Sequence, residues 1–135
     1  MATTNIVDGA LIALYVGGTK ISNGTSGELD ISMSTRETTN KDSAGWKTSL
    51  SALKSWTTSY EGLFAEDATY GFDDLFAAIT AGTAVTAMIS SGVTGDKKYS
   101  GSVIITNLKR SHPMYANATF SCTLEGTGAL TEATI

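Results

Sequence analysis

Apolar and polar residues alternate along most of this chain, and a period of two predicts half-buried strands. Over residues 28–36, Leu29, Ile31 and Met33 share one side while Asp30, Ser32, Ser34 and Arg36 share the other. The period returns over 55–62, where Trp56, Thr58, Tyr60 and Gly62 oppose Ser55, Thr57, Ser59 and Glu61. A hairpin is predicted from 9–16 and 19–22, turned by Gly17-Gly18, because paired glycines accept the positive φ of a tight turn. Strands at 85–90 and 99–108 form a second hairpin, 109–113 is a polar connection, and 117–125 is the last predicted strand. One segment breaks the period. Phe72, Leu75, Phe76 and Ile79 fall at i, i+3, i+4 and i+7 and predict a helix over 67–81 whose apolar stripe covers one face of the sheet. Asp73 and Asp74 suit its N-terminal dipole, and Gly82 ends it.

These elements make one mainly β (α+β) unit, a β-sandwich or partly closed barrel of about seven strands with one packed α-helix. A length of 135 residues fits a single domain that buries roughly two-thirds of its unfolded surface. One proline, abundant Ser and Thr, and 14 glycines match many short strands joined by turns. Residues 1–8 read as a flexible N-terminal arm.

The stretch 38–53 has turn chemistry at its start and carries Trp46 among polar residues, with Leu50 and Leu53 on a short helical turn. It reads as a long exposed loop. Trp46 either folds back to cap its own core or serves as a docking anchor, since long loops are usually functional and Trp is favoured at interface hot spots.

Little in the chain points to catalysis. One His and one Cys, His112 and Cys122, leave a single possible dyad, and neither position gives a reason to converge. Cys122 lies in an alternating strand and reads as a core residue. Asp73 and Asp74 are adjacent on a helix and point about 100° apart, so they are no carboxylate pair. No zinc-ligand spacing and no phosphate loop occurs, and no cofactor, metal or enzymatic activity is expected. A net charge of −4 argues against a surface built to grip nucleic acid. No apolar run reaches the roughly 20 residues of a membrane span, so no membrane insertion is expected, and 1–8 lacks the pattern of a secretory leader.

The run Thr38-Thr39-Asn40-Lys41-Asp42-Ser43-x-Gly45-Trp46, followed by Lys54-Ser55-Trp56-Thr57-x-Ser59-x-Glu61-Gly62-Leu63, resembles the major tail protein, or tail tube protein, family of tailed bacteriophages. The similarity extends in order through the opening hairpin, the 28–37 strand, the helix and the closing 118–130 segment. The resemblance implies a monomer that closes into hexameric rings through an inner β-barrel. Stacked rings would form a hollow tube for the genome and tape measure protein, with tail tip and terminator proteins as further partners. Its place would be the virion tail, assembled in the host cytoplasm, with genomic DNA in transit and not specifically bound. The resemblance does not separate contractile from non-contractile tails or phage-derived injection devices. Under this reading Lys41, Asp42 and Trp46 are candidate inter-subunit contacts, and the acidic balance makes Glu28, Asp30 and Glu37 candidate lumen residues. The alternative is a small β-sandwich carbohydrate- or ligand-binding module with Trp46, Trp56 and Tyr60 as a stacking platform. The placing of Trp56 and Tyr60 on the presumptive core face speaks against it.

Overall fold

The computed structural model describes residues 4, 6–21, 23–65 and 71–135. Eight strands run in chain order: β1 (Ala13–Val16), β2 (Thr19–Lys20), β3 (Gly24–Glu37), β4 (Ser49–Leu63), β5 (Val85–Ser90), β6 (Lys97–Ser111), β7 (Thr119–Gly126) and β8 (Thr131–Thr134). Helix α1 spans Phe72–Ala81 between β4 and β5. The strands form one antiparallel sheet in the order β2-β1-β5-β6-β7-β4-β3, with β8 paired to the start of β6. The sheet curls until β1 and β3 touch without pairing. Between them lies a cleft of about 240 Å³, lined by Leu14, Leu29, Tyr60, Ile89 and Tyr99 among others.

Mainly β structure with one packed helix is what the alternation predicts, and the curled single sheet realises the partly closed form. The added strand, β8, is Thr-Glu-Ala-Thr and exposed throughout, so it carries no apolar row to betray it. It exists because β7 leaves β6 after Gly126 pairs with Val103, and β8 takes the same edge from Ser100 to Lys97. Other boundaries also move. Leu50 and Leu53 lie in β4, not on a helical turn, and Lys109 and Arg110 lie in β6, not in a connection. Residues 9–11 form a 3-10 turn capped by Asp8, so the first strand starts only at Ala13. The expected helix start at 67–70, the end of the first hairpin at Ser22, and residues 1–3 and 5 of the expected arm lie outside the described residues.

Inside the curl, Leu14, Val16, Ile21, Tyr60, Leu75, Val103, Phe120, Cys122 and Leu124 form one core with Trp56. Trp56, 4% exposed, fills the seam where β7 gives way to β8. Its Nε1 donates to Gly128 O at 3.2 Å. Gly101 and Gly126 make room for the ring: a Cβ on Gly101 would stand 2.7 Å from Trp56 Cζ2, and one on Gly126 would run into the indole. Helix α1 buries Leu75 against this core, with Phe72, Ala78 and Ile79 packed at its margin. Asp74 caps it by accepting from Gly71 N at 3.2 Å, and Gly82 closes it at φ 68°. Phe76 departs from the predicted stripe: it stacks on Phe72 at 6.4 Å and stays largely exposed.

Candidate assembly surfaces

The longest hairpin outgrows the sheet. Strand β4 pairs with β7 only from Thr57 to Leu63, whereas β3 follows it from Gly62 back to Ser49. The outer seven or so residues of each strand therefore form a two-stranded arm, roughly 23 Å long at strand rise. The register steps from Met33↔Lys54 to Thr35↔Ser51, a bulge on β4. There Ser34 Oγ accepts from Leu53 N at 3.1 Å and donates to Leu53 O at 3.2 Å. Leu53 is 82% exposed and Ile31 60%, with Met33 and Leu50 half-exposed. Isolated two-stranded ribbons are marginally stable in water, and this one holds its apolar side chains in solvent.

At the tip, 38–48 is a hydrogen-bonded loop, shorter than the 38–53 expected. Asn40 Oδ1 accepts from Asp42 N at 2.8 Å, Ser43 Oγ accepts from Asn40 N at 3.0 Å, and Thr38 N donates to Thr48 O at 2.9 Å. Ala44 and Gly45 turn the chain at φ 55° and 84°. Lys41, Asp42 and Trp46 all stand on this tip in solvent, and Trp46 is 77% exposed. Of the two readings of Trp46, folding back onto the core is excluded. A stacking platform is excluded too, because Trp56 and Tyr60 are buried while Trp46 sits at the end of the arm.

The broad sheet behind the arm has one bare face. Glu28 and Asp30 of β3 lie opposite Ser59 and Thr57 of β4, which lie opposite Thr123 and Glu125 of β7. Strand β6 continues the row with Ile104 opposite Glu125 and Lys109 opposite Ser121. Ser59 Oγ donates to Glu28 Oε1 at 3.1 Å, and the hydroxyls of Ser32 and Ser55 meet at 2.9 Å. The other face packs on β1, β5 and α1 through the core. Glu61 and Glu125 thus join Glu28 and Asp30 on the polar face, with Lys109 a cation among them and Arg36 on the same side toward the tip. Glu37 does not join them: seven residues from Asp30 in an unbroken alternation, it belongs to the opposite side at the tip end. The alternation of β4 and β7 already holds Glu61 and Glu125, but only the strand order puts them beside β3.

Two long edges of this sheet carry no strand, besides the outer edges of the short strands β2 and β8. The outer edge of β3 is unpaired along its length, and β5 leaves β6 at Val103, so the corresponding edge of 104–111 is vacant. No metal-holding cluster occurs among the described residues, and no helix there is long and apolar enough to cross a membrane. Burial pushes the Cys122 thiol up to about 12, which keeps it protonated and unreactive, and His112 lies exposed beyond the end of β6.

A sequence model of the family described as phage tail tube protein matches residues 17–132. The chain belongs to that family. It is a structural component of a virion tail and not an enzyme. Among solved structures, its fold is similar to a chain in the virion of a native gene transfer agent (TM-score 0.82, 15% identity, covering 95% of this chain and 99% of that one). It is also similar to the SPP1 tail tube (0.77, 10%, 96% and 80%). A third likeness is to the sheath-tube complex of an extracellular contractile injection system (0.67, 20%, 92% and 88%). No curated protein matches the sequence significantly. At these identities the structural likenesses establish the fold.

Proposed function

We propose that this tail tube protein is the repeating subunit of a hollow tube of stacked sixfold rings, closed by pairing the outer edge of β3 with the vacant edge of β6 in the neighbouring subunit. The observation that carries this reading is the block β6-β7-β4-β3, four antiparallel strands free along the outer edge of β3 on one side and along 104–111 of β6 on the other. With an even number of strands, the β3 of one copy runs antiparallel to the β6 of the next copy in the same orientation. Repetition around a ring then removes both long edges, which is how strand-rich assemblies avoid uncontrolled pairing. Sixfold symmetry is taken from the gene transfer agent tail refined with C6 symmetry, whose chain shares this fold.

Closure also assigns the faces. The side covered by β1, β5 and α1 turns outward, and the bare polar side turns to the lumen, lined by Glu28, Asp30, Glu61 and Glu125 against Lys109 and, further out along β3, Arg36. A wall with net negative charge repels phosphate and lets DNA pass without sticking. Tape measure, tail tip and terminator proteins are the partners such a tube requires at its inside and its ends. Purified protein, followed by sedimentation and negative-stain microscopy over a concentration series, is expected to build hollow tubes with sixfold end views. A monomer at every concentration, with no rings, would overturn this reading.

A further inference from the structure

We propose that the seam closing each ring is set in one register by Lys109, whose ammonium pairs with the Asp30 carboxylate on the neighbouring subunit's β3. The proposal rests on the tube reading and names the residues that align its strands. Backbone direction limits the choice first. On β4, Leu63 N donates to Asn23 O on the β3 side, and the next residue, Phe64, donates from N to Ala118 O on the β7 side. The bonds of an antiparallel ladder alternate, so Ser55, Thr57 and Ser59 turn their backbone groups to Ser32, Asp30 and Glu28. Leu29, Ile31 and Met33 are left with theirs on the open edge. By the same count Thr119, Ser121 and Thr123 bond to Ser111, Lys109 and Asn107, and Leu108 and Arg110 face the vacant edge of β6. Pairing Leu108 with Leu29, Ile31 or Met33 of the neighbour matches donors to acceptors and also puts Lys109 on the face of Glu28 and Asp30. A slip of one residue breaks both matches. The seam therefore moves only in steps of two.

Barrel geometry narrows the steps. Within one subunit the row through Lys109 runs by Ser121 and Glu61 to Ser26. Closed barrels tilt their strands by about 35–45°. Over six blocks of four strands, a rise of ~3.3 Å and a spacing of ~4.8 Å convert that tilt to a stagger of about four to six residues per subunit. Strand β3 begins at Gly24, so only a stagger toward the arm keeps the vacant edge covered. Four residues bring Lys109 opposite Asp30, and six bring it opposite Ser32.

Charge and burial choose the four-residue stagger. Neither Lys109 nor Asp30 has an ion-pair partner in its own chain among the described residues, whereas the Glu28 carboxylate already accepts from Ser59 Oγ. In this register Leu108 meets Ile31, and past the irregularity at Thr106, Ile105 meets Met33. The neighbour thus covers two side chains that are 60% and 50% exposed in the free subunit. The six-residue register sets Asp30 against Ser111 and Ile31 against Arg110, which pairs neither charge with charge nor apolar with apolar.

The test uses full-length chain assembled into tubes. Lys109 and Asp30 form a non-hydrogen-bonded pair across the seam, whose Cα atoms stand about 4.5 Å apart, within reach of a disulfide. Oxidised tubes of Asp30→Cys/Lys109→Cys are expected to give disulfide-linked species up to a hexamer on non-reducing gels, and Lys109→Cys with Glu28→Cys or with Ser32→Cys to give little. Within one chain positions 30 and 109 are three strands apart and cannot be bridged, and the buried Cys122 thiol stays silent. Charge supplies a second readout. Asp30→Lys and Lys109→Asp are each expected to raise the concentration needed for tube growth more than about tenfold, and the chain carrying both to recover most of that loss. Linking through Glu28→Cys or Ser32→Cys instead, or single reversals that leave growth unchanged, overturns the Lys109–Asp30 register while the tube stands. Normal tubes that link through none of the three pairs overturn the β3–β6 closure as well, and failure of the unsubstituted chain to build tubes removes the tube reading itself.

Discussion

Trp46→Ala is expected to stop tube growth while leaving a folded monomer. The indole stands at the end of the arm with about three-quarters of its surface in water, so its removal opens no cavity. Exposed substitutions of this kind shift stability by no more than about 0.5 kcal/mol. The loop keeps its shape, because it is held by Asn40, Ser43, Thr38 and Thr48 and not by the ring. Assembly is another matter. An aromatic anchor at an interface contributes about 2 kcal/mol or more, and each 1.4 kcal/mol is about tenfold in an equilibrium constant. That loss recurs at every subunit of a ring, so the concentration needed for growth should rise by well over tenfold. Circular dichroism and a urea midpoint unchanged from the unsubstituted protein, together with empty grids at its tube-forming concentration, are the expected results. Long tubes at that concentration would end the anchor account.

Trp56→Ala is expected to have the opposite signature, a large loss of stability at the monomer level. Its ring closes the seam between β7 and β8 and rests over Gly101 and Gly126. Truncation of a buried Trp costs about 3–5 kcal/mol, a large share of the roughly 5–15 kcal/mol that holds a domain together. Gly126→Ala approaches the same place from the other side, since its Cβ would enter the indole, and overpacking of this kind costs about 1–3 kcal/mol. The pair forms a cycle. With Trp56 already truncated, the methyl group introduced by Gly126→Ala has room, so the second substitution should cost much less than it does alone. Urea denaturation followed by circular dichroism reads all four proteins. Equal costs of Gly126→Ala in the two backgrounds would show that its glycine is required for some other reason.

The two tryptophans differ in a way that the sequence displays. Trp56 belongs to an alternating row with Thr58 and Tyr60, and the row becomes core; Trp46 is surrounded by Lys, Asp, Ser and Gly, and no row carries it inward. Period two also places Cys122 and Phe120 inside, where they are found. The extent of the arm is hidden because the bulge at Ala52 and Leu53 breaks the alternation of β4, and leucines without a period resemble a helical turn. Phe76 falls outside the buried stripe, which narrows to Leu75 with Phe72, Ala78 and Ile79 beside it, because the core takes up only that side of the helix. Strand β8 has no apolar row at all, and only its pairing with β6 defines it. Counting by twos from Asp30 already puts Glu37 on the opposite side of β3 from the polar face. Which strands lie beside β3 is a matter of pairing partners far apart in the chain, and no local pattern encodes it.

A helical reconstruction of the assembled tube tests the central claim most directly. The account predicts a continuous barrel wall in which the outer edge of β3 is hydrogen-bonded to residues 104–111 of the neighbouring subunit's β6, with Glu28, Asp30, Glu61 and Glu125 facing the channel. A wall closed through other strands, or a ring in which that acidic row faces outward, would contradict it.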